Sequence, residues 1–241
     1  MFFKGCDIII KFADILKNEY SLVALLGKKE GKEVLHFRNK RLQKSIIIRK
    51  LPPESKTGVF EKLAGIRHIN IANIYDVVKE DDAVYVIEEY IDGISVGELI
   101  PLDSKGAQKV VMQLASALSA LHSLDIIHRD IKPENVMITE EGVTKLIDFD
   151  IAKLYKPMQT RDTVLLGTAS YAPPEQYGLA QTDRRTDIYS LGILANILVT
   201  GRHPSVQLYK KGKLGRFINK ATDINMDKRF NSAEEVLKHF S

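Results

Sequence analysis

The chain has 241 residues, 44% hydrophobic and 27% charged, the balance of a soluble globular protein with one large domain or two small lobes. Thirty-five Lys and Arg against 31 Asp and Glu leave only +4, so no nucleic-acid partner is expected. The one Cys, Cys6, excludes an internal disulfide and a Cys-based zinc site and points to a reduced, cytoplasmic setting.

In chain order, the first stretch of interest is Asp7 to Tyr20, apolar but interrupted by Lys11, Asp14 and Lys17. It is too short and too charged for a membrane span and lacks a signal-peptide cleavage site. It is read as an N-terminal extension, residues 1–19, whose Phe12, Ile15 and Leu16 would dock on the neighbouring lobe or on a partner. Short β-type runs follow at Ser21 to Leu26, Val34 to Phe37, Ser45 to Ile48, Ala72 to Val78 and Ala83 to Glu88, apolar, partly β-branched and separated by polar turns. One short helix fits Gly58 to Arg67, where Val59, Leu63 and Ile66 recur at helical spacing.

After Gly93 the texture becomes helical. Ala107 to Leu124 carries an apolar stripe of Val110, Leu114, Leu118 and Leu121, with Asp103 or Ser104 to cap it. Val136 to Ile138 and Thr144 to Ile147 are strand-like, around the turn Glu140 to Gly142. Asp187 to Thr200 is apolar nearly all round, which suits a buried helix ended by Gly201. Ser232 with Glu235 forms a capping box for a last helix ending at Phe240. The plan is a β-rich lobe over about 20–90 and a larger helical lobe over about 91–241, together one unit spanning 20–241.

Three motifs carry chemistry: His128-Arg129-Asp130-Ile131-Lys132-Pro133-Glu134-Asn135, then Asp148-Phe149-Asp150, then Ala172-Pro173-Pro174-Glu175. In order and spacing they resemble the eukaryotic-type Ser/Thr protein kinases, and the brevity of the chain resembles small stand-alone bacterial members. The resemblance implies an α+β, two-lobed fold with a small β-rich N-lobe and a larger helical C-lobe. It also implies ATP and Mg²⁺ as cofactors and a protein with Ser or Thr hydroxyls as the acceptor. Asp130 would orient the acceptor hydroxyl, and Lys132 would meet the γ-phosphate. Asn135 and Asp148 would offer hard oxygens to Mg²⁺. Asp187 would brace the catalytic loop, Glu175 and Arg229 would form a buried ion pair, and His128 would be structural. His68 and His122 also read as structural, whereas His36, His203 and His239 read as solvent-facing. Lys132 and Thr168 both imply Ser or Thr acceptors.

The nucleotide end departs from the family pattern. Gly27 fits the first glycine, but Lys29 and Lys32 replace the next two and Gly31 is out of phase. The stretch is either a lysine-bearing phosphate loop or a solvated hairpin; on the resemblance, Gly27 and Val34 would contact the nucleotide. The resemblance calls for a phosphate-anchoring cation here: alignment of the apolar run points to Arg49, but the chemistry of a lysine prefers Lys50, which is taken as the anchor. Its partner is Glu61, the only acid of the short helix, although the family count falls at Val59. Backbone groups near Glu89 and Ile91 would hold adenine. Glu88 stands at the usually apolar gatekeeper position, so a buried carboxylate there must be paired or protonated. Asp150 replaces a family glycine.

Thr160 and Thr163 are either autophosphorylation sites within the 150–175 segment, with Arg129 and Lys153 to receive the phosphate, or ordinary loop residues. Two basic runs, Lys28 to Lys50 and Arg202 to Thr222, read as solvated faces, or as surfaces that recruit acidic substrates or a membrane surface. The leading reading is a Ser/Thr protein kinase. The alternative is a pseudokinase scaffold, which the degenerate glycine stretch would favour. A small-molecule phosphotransferase fits less well, because His-Arg-Asp-x-Lys and Ala-Pro-Pro-Glu serve peptide substrates.

Overall fold

The structure, a computed structural model, describes residues 12–155, 171–177 and 181–241. Two compact units emerge: residues up to 65 with 73–90, and residues 66–72 with 91–241. Among the described residues no helix is long and apolar enough to cross a membrane. Cys6, Thr160, Thr163, Thr168 and Ser170 lie outside the described residues.

The first unit is built on a five-stranded antiparallel sheet. Its strands are β1 (Tyr20–Lys29), β2 (Lys32–Asn39), β3 (Ser45–Leu51), β4 (Ile74–Lys79) and β5 (Val84–Glu89), ordered β1-β2-β3-β5-β4. The β1–β2 turn is only two residues long, with Glu30 at φ 49° and Gly31 at φ 78°. Both values are left-handed, as the tight hairpin turn matching strand twist requires. Pairing continues to Lys29↔Lys32, and Lys28 meets Glu33 across the strands at 2.8 Å. The stretch thus folds as a hairpin, with irregularities in β1 between Leu22 and Ala24 and between Leu25 and Gly27.

Helix α1 (Phe12–Glu19) packs Leu16 and Phe12 onto one sheet face, against Ile46, Ile48 and Tyr85. Lys40 Nζ donates to the carbonyls of Lys17 and Asn18, closing the helix at its negative end. Helix α2 (Gly58–Ala64) buries Val59, Phe60 and Leu63. It stops before Ile66, shorter than the apolar spacing suggests. His36 is a correction: it is 7% exposed, hydrogen-bonded to Ser45 Oγ at 2.8 Å and stacked on Tyr90. Strand alternation turns it inward.

The second unit has a three-stranded sheet, β6 (Gly93–Ser95), β8 (Val136–Thr139) and β9 (Thr144–Leu146), ordered β6-β8-β9. A two-stranded ladder joins β7 (Ile126–Ile127) to β10 (Lys153–Leu154). Helix α3 (Ser104–Ser123) buries the whole stripe from Val110 to Leu121, and Asp103 caps it by accepting from Gly106 N–H at 2.7 Å. Helix α4 (Arg184–Thr200) begins three residues before Asp187, because Asp183 provides the cap, and ends at Gly201 with φ 69°. Helix α5 (Gly212–Ala221) occupies part of the second basic run. Its Leu214, Phe217, Ile218 and Ala221 are buried while Lys213, Arg216 and Lys220 face out. The apolar stripe at spacings of three and four was masked by the density of lysines and by the lack of a capping side chain.

Helix α6 (Ala233–Phe240) starts at Ser232, which accepts from Glu235 N–H; the Glu235 carboxylate reaches back to Asn231 rather than to Ser232. Glu234 accepts a hydrogen bond from Ser119 of α3. Hydrogen bonds from Ser119 and Ser232 together pull its carboxyl from 4.5 down to about 2. A depressed folded-state value means that this contribution to stability is complete above about 4.5 and is lost as pH falls toward 2. Glu234→Gln should therefore lower the thermal midpoint at pH 6, with the difference from wild type shrinking steadily as unfolding is measured down to pH 2.

Candidate active site

The second unit carries the catalytic-loop motif on the segment between β7 and β8. The carboxylate of Asp187, in the first turns of α4, accepts from the backbone N–H groups of His128 at 2.9 Å and Arg129 at 2.8 Å. His122 Nε2 reaches the same carboxylate at 2.9 Å. Burial by itself would raise the Asp187 carboxyl, but the hydrogen bond from His122 and the charges and donors around it hold it below the ordinary range.

These bonds fix an unfavourable backbone. Arg129 has φ 68°, in the left-handed region, which is costly for a residue with a long side chain. Its N–H is held by Asp187, its carbonyl accepts from Gln176 Nε2 at 2.8 Å, and its guanidinium Nε donates to Ile151 O at 2.7 Å. Three anchors on one residue make the strained geometry persist.

His128 is fully buried. Its Nδ1 accepts from Asp130 N–H at 3.3 Å, so Nε2 carries the proton and donates to Ile147 O at 3.2 Å. The ring lies edge-on to Phe149. Both nitrogens serve the backbone of the two motif-bearing loops, so the histidine is a brace and not a base.

The reactive groups follow from this frame. Asp130 Oδ2 is 2.8 Å from Lys132 Nζ and 2.9 Å from Asn135 Nδ2. Asn135 Nδ2 also donates to Asp130 O at 2.9 Å. Both amide hydrogens thus go to Asp130, which fixes the amide orientation and leaves Oδ1 as the oxygen turned away from it. Ile147 N–H donates to Asn135 O at 3.0 Å, bringing Asp148 onto the chain segment beside Asn135. Asp148 is itself left-handed, φ 64°, which Asp tolerates better than most residues. Asp150 is not among the left-handed residues, so the absent glycine is not needed there for backbone reasons.

Among the described residues no group of three or more His, Cys, Asp and Glu forms a metal cage. Asn135 and Asp148 offer hard oxygen donors of the kind a Mg²⁺ that keeps waters and is completed by phosphate oxygens would take.

In the first unit, ladder register decides which candidates share a face. Gly27 pairs with Val34, Val34 with Arg49, and Arg49 with Val86. Directly opposed residues point the same way, so Gly27, Val34 and Arg49 form one row. A Cβ at Gly27 would meet nothing within 4 Å, and the residue is not left-handed, so neither packing nor backbone demands glycine there. The open space fits close approach of a phosphate to the backbone. Lys50 belongs to the next row, paired with Glu33 and Tyr85, and its Nζ lies 5.8 Å from the Tyr85 ring centre on the face that α1 covers.

Glu61 is not brought to this row: it is about half exposed and bonds to Thr57 Oγ1 at 2.8 Å and Lys79 Nζ at 2.7 Å. Arg49 is instead bonded to Glu88, Nε to Oε1 at 2.8 Å. Glu89 uses its carboxylate on Asn73, accepting from the backbone N–H and from Nδ2, and its own N–H donates to Asn73 O. Ile91 is buried.

The family profile for the protein kinase domain matches residues 9–240. The chain belongs to the protein kinase family. It is 35% identical over 204 residues to a probable serine/threonine-protein kinase of Clostridium perfringens, covering 79% of this chain and 30% of that protein. It is 38% identical over 149 residues to the serine/threonine-protein kinase PrkC of Bacillus subtilis, covering 60% and 23%. It is 30% identical over 209 residues to the serine/threonine-protein kinase PknB of Mycobacterium tuberculosis, covering 78% and 33%. The chain thus spans a third or less of the length of these relatives.

Two features of this kinase domain were not visible in its motifs. Gln176, next to Glu175, ties the activation-segment end to the catalytic loop through Arg129 O; no residue type at that place advertises the bond. The Arg49–Glu88 pair joins residues 39 apart in sequence. The signal was present as a cation in β3 and an acid in β5, both at positions where apolar residues surround them.

Proposed function

We propose that the chain is a serine/threonine protein kinase that transfers the γ-phosphoryl group of ATP, bound with Mg²⁺, to Ser or Thr hydroxyls of protein substrates in the cytoplasm. The observation that carries this reading is the Asp130 carboxylate held from two sides by Lys132 and Asn135. A carboxylate so fixed can accept or orient a hydroxyl proton, and Lys132 beside it supplies positive charge next to the transferring group.

Mg²⁺, when bound, supplies charge neutralisation across the phosphates. Asn135 Oδ1 and Asp148 hold it. Arg49, in the row with Gly27 and Val34, is the phosphate-anchoring cation in preference to Lys50. Backbone groups near Glu89 and Ile91 hold adenine. The acceptor preference for Ser and Thr rests on Lys132 and on the relatives, which are named serine/threonine-protein kinases. Autophosphorylation at Thr160 or Thr163 is a further part of the proposal.

Incubation of the chain with labelled ATP, Mg²⁺ and mixed peptide acceptors tests it. Label should appear on Ser or Thr and not on Tyr, and chelation of the divalent cation should abolish it. Nucleotide binding with no transfer under any acceptor would support the pseudokinase scaffold instead. Mapping of phosphorylated residues after the same incubation tests the two threonines, and their remaining unmodified would count against that part.

A further inference from the structure

Arg49 and Glu88 form an ion pair inside the first unit's sheet, with side chains only 7% and 8% exposed. Nε meets Oε1 at 2.8 Å and Nη2 lies 3.5 Å from Oε2. A buried charge is tolerated only when paired, and here the pairing is diagonal across neighbouring strands. The register opposes Ile47 to Glu88 and Arg49 to Val86, so the two long side chains lean toward each other on one face.

We propose that Glu88 is the positioning residue for the phosphate anchor: it holds the Arg49 guanidinium from β5, so the anchor is fixed within the sheet and does not depend on an acid of helix α2. The proposal rests on the kinase reading above. The only acid in α2 is Glu61, which is engaged with Thr57 and Lys79. A guanidinium suits the task because its fork can bind a carboxylate along one edge and offer N–H groups along another, which an ammonium cannot do in a fixed plane. Because both partners sit on adjacent strands, the geometry of the anchor follows from sheet register, a rigid support. A shift of α2 would leave it unchanged.

Direct titration of the full chain with Mg-ATP tests this. Glu88→Gln should weaken nucleotide binding by about 10–100-fold, the usual effect of losing a residue that orients a ligand-binding group. Its KM for ATP should rise more than its kcat falls, and Glu88→Asp should recover part of the affinity. Glu61→Gln should bind as wild type does. The double variant Arg49→Met/Glu88→Leu removes both charges and should keep its thermal midpoint, yet bind as weakly as Glu88→Gln.

Binding by Glu88→Gln or by the double variant within about twofold of wild type would overturn the proposal, as would a loss in Glu61→Gln equal to that in Glu88→Gln. Wild type that binds no Mg-ATP overturns the kinase reading itself. That result is distinct from wild-type binding that survives the loss of Glu88.

Discussion

Asp130→Ala is expected to lower phosphoryl transfer by about 10²–10⁴-fold, the range for removal of a positioned acid–base group, while nucleotide affinity stays within about threefold. The reason is that Asp130 is the one carboxylate whose plane is set by both other catalytic-loop side chains, Lys132 at 2.8 Å and Asn135 at 2.9 Å. On the proposed roles, its loss would remove the acceptor for the substrate proton and release Lys132, whose charge would no longer stay beside the transferring group. Asp130→Asn keeps the shape and the packing but removes the charge, so it should lose a comparable factor. Steady-state kcat and a separate nucleotide titration check both halves. Transfer by Asp130→Asn within tenfold of wild type would remove Asp130 from the catalytic role.

The contrast with residues nearby shows what was legible in the sequence. Asp130, Lys132, Asn135 and Asp148 sit on a short segment held by a few bonds, from His128 and Ile147 close in sequence and from Asp187 far along the chain. Asp130, Lys132 and Asn135 are close in sequence and meet in space, so that part of the motif reads directly. The choice between Arg49 and Lys50 is different in kind. It turns on the face of the sheet, which a one-residue shift reverses, and the pairing of Val34 with Arg49 and Glu33 with Lys50 puts the two cations on opposite faces. Glu61 lies with Thr57 and Lys79 for a related reason. Its helix position is fixed by burial of Val59, Phe60 and Leu63, which leaves the acid on the outer side. Helix α5 was hidden by six basic residues in the surrounding run, although its buried stripe has ordinary helical spacing.

Breaking the Glu175–Arg229 pair should be the most damaging change to stability away from the hydrophobic core. Both side chains are buried, at 3% and 0% exposure, and Nη1 meets Oε1 at 2.6 Å. Arg229→Met leaves Glu175 buried and uncompensated, at a cost of about 3–5 kcal/mol, which for a chain of this size lowers the thermal midpoint by about 10 °C. Replacing both partners by apolar residues often rescues such a loss, but here the guanidinium does more. Its Nε donates to Asp223 O, Nη1 also to Arg185 O, and Nη2 to Glu175 Oε2 and Ile224 O. All five donors of the group are therefore used, and three backbone carbonyls lose this donor when it goes. Glu175→Leu/Arg229→Met should therefore recover only a minor part of the midpoint. The effect should also reach activity, because Glu175 adjoins Gln176, whose side chain holds Arg129 O. Loosening that turn frees the strained Arg129 backbone and with it the frame of Asp130. Differential scanning measurement of the two variants, paired with kcat below their midpoints, tests both links. A double variant as stable as wild type would show that the carbonyl bonds carry little weight.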